Sequence, residues 1–313
     1  MKIINYIKQN EEPFLSIEIV PPKRGATLND IFKTLDNLVK YEPKFINVTR
    51  HQSKIQFRKV NGNYKKMFVN YKPGTAAVCM AIQNRYNIDT VPHLICGGQN
   101  KYNIEDKLIE FSYLGFDNIF VVRGDPQNGK KFKKPKDGYE NASNLIEQIN
   151  KMNEGNYLYL DNGNPTDFCI GATGYPEKHY EAVNLKEDIQ NLKIKVKRGA
   201  EYIITQMFFD FDKFKKFVNK VRDAGIKIPI IPGLRPVIRK KTLEKLPGYF
   251  FINIPENFID VMKSARSKKE EELHGTKYMN KLIRKLYEFG VPGIHLFTLG
   301  KGRSTRLLLD SLK

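Results

Sequence analysis

The chain has 313 residues, 41% hydrophobic and 28% charged. That balance excludes a disordered, collagen-like or disulfide-stapled protein and supplies apolar side chain for a large core. The formal net charge is +19, but the basic residues are spread along the chain, which favours attraction of small anions over a nucleic-acid interface.

Cys79, Cys96 and Cys169 cannot all pair and form no CxxC, so they read as free thiols in a reducing compartment. The N-terminal stretch lacks the apolar core and cleavage site of a signal peptide, and no run approaches the length of a membrane span. These features predict a cytoplasmic chain with no membrane and no nucleic-acid partner. The basic run GKKFKKPK (129–136), beside Gly and Pro, reads as a solvated loop.

In chain order, eight β-rich runs stand out, at 14–20, 45–49, 91–96, 117–122, 168–174, 201–209, 228–233 and 293–298. Most are apolar nearly throughout, as strands are when helices cover a parallel sheet on its outer side. Helical candidates lie between them at 27–41, 103–115, 142–153, 182–199, 211–225 and 278–290. The first opens on Thr27 as a predicted cap, the second on Asn103, and the last three end in Gly just before the next strand. Further helical material falls at 240–272, and 61–77 reads as an insertion. Eight βα units predict a (β/α)₈ TIM barrel forming a single domain over 1–313, with an open doubly wound sheet as the competing arrangement.

Catalytic groups of such a barrel sit at the C-terminal ends of its strands. There the sequence offers Glu18, Thr49, His93, Arg123-Gly124-Asp125, Tyr175 with His179, Gln206 and the basic loop Gly300–Arg303. Glu18 is a carboxylate in an apolar run. Desolvation raises the pKa of such a group and makes it a candidate general acid, with a salt-bridged structural carboxylate as the alternative. Gly124 lets the backbone approach a ligand closely. His51, His93, His179 and Cys96 lack any metal-ligand spacing, so no metal is predicted. GKGRS (300–304) is not a phosphate loop of the GxxxxGK[ST] kind.

Several strings together resemble the methylenetetrahydrofolate reductase family. They are SIEIVPPK, FVVRGDP, GATGYPEKHYEA, KIKVKRGAEYIITQMFFD, IPIIPGLRPV and GVPGIHLFTL, in this order over nearly all of the chain. The resemblance implies a barrel holding FAD without covalent attachment. It implies hydride transfer from NADH or NADPH to flavin, and then to 5,10-methylenetetrahydrofolate. Glu18 matches the family's proton donor and Asp125 its acid near flavin and folate. Gln206 matches a residue that meets both alternating substrates, and Thr49 a position on the nicotinamide side. The flavin shell carries over to His93, Arg123, Gly124, Ala142, Tyr175, His179, Ala182, Asp188, Asn191 and Lys195, of which the last three share one helix face. Lys301, or Arg303 in its place, matches the folate-tail position. The sequence departs from the family pattern at Arg50, Asn141, Ile194 and Gly300. The resemblance also implies a homo-oligomer, and it includes no long regulatory extension, so no regulatory domain and no control by S-adenosylmethionine are expected. A folate-binding methyltransferase without flavin and a basic nucleic-acid-binding protein are the competing readings.

Overall fold

The computed structural model describes every residue except 11, 73, 127–130, 300, 301 and 313, and the side chain of Phe68. Lys301 therefore lies outside the described residues. The chain runs α1 (Ile3–Gln9), β1 (Phe14–Ile19), α2 (Asn29–Leu35), β2 (Phe45–Val48), β3 (Lys54–Val60), β4 (Asn63–Val69), α3 (Thr75–Tyr86), β5 (Asp89–Ile95), α4 (Lys101–Tyr113), β6 (Asn118–Val122), α5 (Ala142–Asn153) and β7 (Cys169–Gly174). It continues through α6 (Leu185–Lys197), β8 (Tyr202–Thr205), α7 (Phe211–Asp223), β9 (Ile230–Ile231), β10 (Gly233–Leu234), α8 (Lys240–Phe250), α9 (Glu256–Lys263), α10 (Lys268–Glu288), β11 (Gly293–Phe297) and α11 (Arg303–Asp310).

All strands but β3 and β4 form one parallel sheet in the order β10-β11-β1-β2-β5-β6-β7-β8-β9. The two ends of that series are halves of a single barrel strand, divided at Pro232. Its first half pairs with β8 and its second with β11, so eight strands close on themselves as a (β/α)₈ barrel. Proline has no N–H to donate, yet its carbonyl accepts from His295 N at 3.0 Å and keeps the seam hydrogen-bonded. Gly233 follows because a Cβ there would collide with the Thr205 carbonyl and the Phe297 ring.

Alternation along each strand separates two cores. Ile17, Ile19, Ile46, Val48, Ile119, Val121, Ile170 and Ile203 face the helices and belong to the larger cluster. Phe14, Phe45, Val91, Phe120, Cys169, Tyr202 and Ile231 point into the barrel. Gly171 leaves room there, since the Tyr202 ring occupies the space its Cβ would take. Ile3 and Ile4 of α1 join the inner cluster and plug its N-terminal end, where Asn118 Oδ1 accepts from Ile3 N at 2.8 Å. The apolar plug leaves the polar inward residues, Glu18, Asn47, His93 and His295, nearer the opposite end.

The eight predicted runs all become barrel strands. Three helical expectations shift. Thr27 is not a side-chain cap, because α2 starts two residues later with Leu28 at the cap position. Helix α4 starts at Lys101, where Asn100 Oδ1 accepts from Asn103 N at 2.8 Å. Helix α10 begins ten residues before the expected start, capped by Ser267. The insertion expected at 61–77 lies instead over 54–69, as an antiparallel hairpin, β3–β4, with α3 already under way at Thr75; its turn is Asn61-Gly62 with φ of 48° and 83°. Two positive φ values at an Asn-Gly pair make a turn whose twist matches that of the strands. Cys79, Cys96 and Cys169 are buried free thiols. Among the described residues no helix is long and apolar enough to cross a membrane.

Candidate active site

A cavity of about 1100 Å³ opens at the C-terminal ends of the strands. Seven of the eight barrel strands reach it, because a βα turn leaves its first residues pointing over the rim. The structure brings Glu18, Thr49, His93, Arg123, Gly124, Asp125, Tyr175, His179 and Gln206 together on this one wall. Ala142, Ala182, Asp188, Asn191 and Lys195 stand outside it, and Asn191 is exposed on α6.

Two of these outer residues support the wall from behind. Asp188 Oδ2 accepts from His179 N at 2.9 Å. Lys195 Nζ donates to Thr173 O at 2.8 Å and lies 5.8 Å from the centre of the Tyr175 ring. Burial pushes the Lys195 ammonium down to about 8, against the pull of Asp188. Among the described residues no carboxylate stands within ion-pair distance of it. A cation held behind the wall by a carbonyl, with no carboxylate in contact, adds positive potential to the cavity.

At the cavity floor Glu18 is 8% exposed. Burial pushes its carboxyl up to about 8. Its Oε2 lies 3.6 Å from His93 Nε2 and 4.0 Å from His295 Nε2. Both imidazoles are driven down to about 3, chiefly by burial, so neither offers a counter-charge. Asn47 Nδ2 sits 3.0 Å from His93 Nε2, and Ser16 Oγ lies 2.9 Å from His295 Nδ1, which orients the two rings.

On the rim, Arg123 pairs with Glu181 and holds that carboxylate below its usual range. Asp125 is exposed, and its carbonyl accepts from Gln52 Nε2. Gln52 also occupies the space beside Gly97 and Gly124, the latter at φ 89°, so a side chain at Gly97 would strike it. Gln206 lines the wall, with its Oε1 accepting from Met207 N at 2.9 Å.

The basic run 129–136 is solvated only in part. Lys131 lines the cavity, and Phe132 lies under the Arg123 guanidinium at 4.7 Å, half-buried, because an aromatic ring gains from leaving water. Lys133, Lys134 and Lys136 are exposed, whereas Gly129 and Lys130 lie outside the described residues. Among the described residues no group of three or more His, Cys, Asp and Glu could hold a metal ion.

Residue-by-residue reading passed over His295, Asn47 and Gln52. The first two carried the same signal as Glu18, a polar group in an apolar strand at an inward position. Gln52 had no local signal, because its partners come from β5 and β6 turns far along the chain.

The chain matches the methylenetetrahydrofolate reductase family over residues 2–313. It is 28% identical over 304 residues to "Methylenetetrahydrofolate reductase 1" of Schizosaccharomyces pombe, covering 96% of this chain and 46% of that protein. It is 26% identical over 301 residues to "5,10-methylenetetrahydrofolate reductase" of Escherichia coli, covering 95% and 90%. The chain thus spans about half the length of the eukaryotic relatives it matches. A solved structure from Clostridium thermocellum, described as binding two copies of 5-methyl-5,6,7,8-tetrahydrofolic acid, has the same fold. Its TM-score is 0.60 at 16% identity, covering 98% of this chain and 97% of that one. A family match that covers residues 2–313, the whole of the barrel, makes this chain a member of the methylenetetrahydrofolate reductase family.

Proposed function

We propose that the chain reduces 5,10-methylenetetrahydrofolate to 5-methyltetrahydrofolate, with NADH or NADPH as electron donor and FAD held non-covalently. The observation that carries this reading is Glu18, a neutral carboxyl at the floor of a large open cavity. The methylene bridge opens to an iminium only when the departing folate nitrogen gains a proton. A carboxyl that keeps its proton at neutral pH, with no cationic partner to draw it off, can supply it. Asp125, on the cavity rim, contributes a negative charge toward the cation that opening creates.

The residues present fit a flavin dinucleotide. The cavity has the necessary size, Arg123 on its rim, shared with Glu181, and Lys195 behind the Tyr175 ring supply positive charge for its phosphates, and Tyr175 and His179 offer ring surface. Bound FAD would supply the chemistry of accepting hydride from the nicotinamide and passing it to the folate. Ala142, Ala182, Asp188 and Asn191 complete the proposed cofactor shell, with Thr49 toward the nicotinamide and Gln206 toward the folate. Lys301 is the residue proposed toward the folate tail, with Arg303, which pairs with Glu272 outside the cavity lining, as the alternative.

The visible spectrum of the purified protein is the first test, since oxidised flavin absorbs near ~450 nm. A colourless protein that takes up no added FAD overturns the proposal.

A further inference from the structure

The loop that leaves β2 carries Arg50, His51, Gln52 and Ser53, and the hairpin β3–β4 begins and ends beside it. Lys54 opens the hairpin, and Lys72 follows it. Lys72 Nζ donates to His51 Nε2 at 2.9 Å, and Thr49 Oγ1 lies 3.1 Å from the same nitrogen. Two ties hold the hairpin base in place. Ser53 Oγ donates to Asn70 Oδ1, and Arg24 bonds back with its backbone N to Tyr71 O (2.7 Å) and its Nε to Asn70 O (3.1 Å). The second tie brings Lys23, from the β1–α2 loop, to the same place.

The result is a ring of cations beside the cavity mouth, with Arg50, Lys54 and Lys72 near His51 and Lys23 near Lys72. Arg50, His51 and Lys54 line the cavity itself. Among the described residues no Asp or Glu forms an ion pair with any of the four cations. Burial, then Lys72, Lys54 and Arg50, keep His51 uncharged, driving it down to about 4. Lys72 is lowered by burial and by Lys23 and Lys54. Like charges gathered without a counter-charge repel one another, and a multiply charged anion relieves them all at once. Lysines scattered over a surface would avoid one another; here the hairpin returns the chain so that they converge.

We propose that this ring is a binding site for the multiply charged oxyanion tail of a substrate whose ring system enters the cavity. The inference rests on the proposed reductase function for the identity of the substrates. Both have such a tail, phosphates on the dinucleotide and carboxylates on the folate. Thr49 bridges the ring to the proposed nicotinamide side, which favours the dinucleotide phosphates. The role of the hairpin is then to deliver Lys54 and Lys72.

The test uses the full chain with Lys54→Gln and Lys72→Gln combined, and Lys133→Gln with Lys134→Gln as a control of equal charge loss on exposed residues. Inorganic pyrophosphate is titrated into each protein by calorimetry at low salt. The Kd rises by at least about tenfold in the first variant and less than about twofold in the control. This reading needs neither flavin nor hydride transfer, so it stands or falls apart from the reductase proposal. Steady-state KM values then name the tail. A rise for NADH and NADPH alike assigns the diphosphate, a rise for NADPH above NADH assigns the 2′-phosphate, and a rise for the folate assigns its carboxylates. Equal pyrophosphate affinity in the two variants overturns the site, and KM values that all stay constant overturn its role toward substrates.

Discussion

Glu18 Oε2 stands 3.6 Å from His93 Nε2, and the two groups do not form an ion pair. Burial drives the carboxyl up to about 8 and the imidazole down to about 3, so both are neutral between those values. Inside a barrel the cost of desolvating two charges exceeds their attraction unless further polar groups surround them. Here the surroundings are Phe120, 4.8 Å from the His93 ring, a second neutral imidazole, His295, and the uncharged Asn47 amide, so no counter-charge is supplied.

The proton on Glu18 sets a pH dependence. With Glu18 as the proposed proton donor, the folate half-reaction is expected to use the protonated form and to slow as pH rises through about 8, while reduction of the proposed flavin by NAD(P)H lacks that fall. Glu18→Gln keeps flavin bound and lowers the folate half-reaction by about two to four orders of magnitude. Stopped-flow measurement of the two half-reactions across pH checks both statements. Near-normal folate reduction by the variant removes Glu18 from the mechanism.

The same group shapes stability. Its folded pKa lies above its ordinary value of 4.5, so its contribution is fully present below about 4.5 and is lost as pH rises toward about 8. Glu18→Gln has no such titration. The variant gains on the parent as pH climbs through that window, by on the order of a few kcal/mol at the top, since one pKa unit is worth about 1.4 kcal/mol. Denaturant midpoints of both proteins at pH 5 and pH 8, in the absence of substrate, measure the gain.

Lys195 couples cofactor affinity to stability in the opposite sense. Its ammonium is buried and lowered to about 8, so the apo protein bears the cost of desolvating it below that pH. Lys195→Met then makes the apo protein more stable at pH 7 while weakening FAD by roughly 1–3 kcal/mol, the worth of a charged hydrogen bond. Lys133→Ala with Lys134→Ala changes neither quantity. Thermal melts of apo protein and FAD titrations at two salt concentrations decide it, and full FAD affinity in Lys195→Met places the phosphates elsewhere.

Asp125→Asn is expected to slow both half-reactions, because a charge near the flavin acts on its reduction as well as on the iminium. A fully flavin-loaded variant with parental rates ends the electrostatic role.

Gly233→Ala tests the seam. The added methyl meets the Thr205 carbonyl, which backbone movement alone can relieve, and the Gly233 N–H that donates to Thr205 Oγ1 at 2.9 Å moves with it. Overpacking of this kind costs about 1–3 kcal/mol or more. Gly290→Ala, with open space around its Cβ but φ of 82°, separates backbone strain from collision in the same melting experiment.

The barrel was legible because its strands are buried on both faces and read as apolar runs, and Glu18 was legible because it interrupts one. The hairpin was not, since β3 is exposed along nearly its whole length and carries no buried apolar face. Helix α3 escaped because its apolar residues Val78, Cys79 and Ile82 are set among further small or apolar ones, which blurs a helical period. Spacing put Asp188, Asn191 and Lys195 on one helix face, but it did not reveal that Asp188 and Lys195 brace the wall while Asn191 faces solvent. The cation ring was hidden for a different reason: Lys23, Arg50 and Lys72 meet only after the chain has turned back twice.

Strand β1 pairs with both β2 and β11, and Thr298 Oγ1 donates to Glu18 O across a separation of 280 residues. A ribosome adding about 5–20 residues per second needs tens of seconds to make that distance. Through that interval β1 lacks the β11 partner on one side. The buried setting of Glu18 is complete only once β11 has been made and has paired with β1. The exposed edge of β1 is meanwhile the segment most in need of a chaperone.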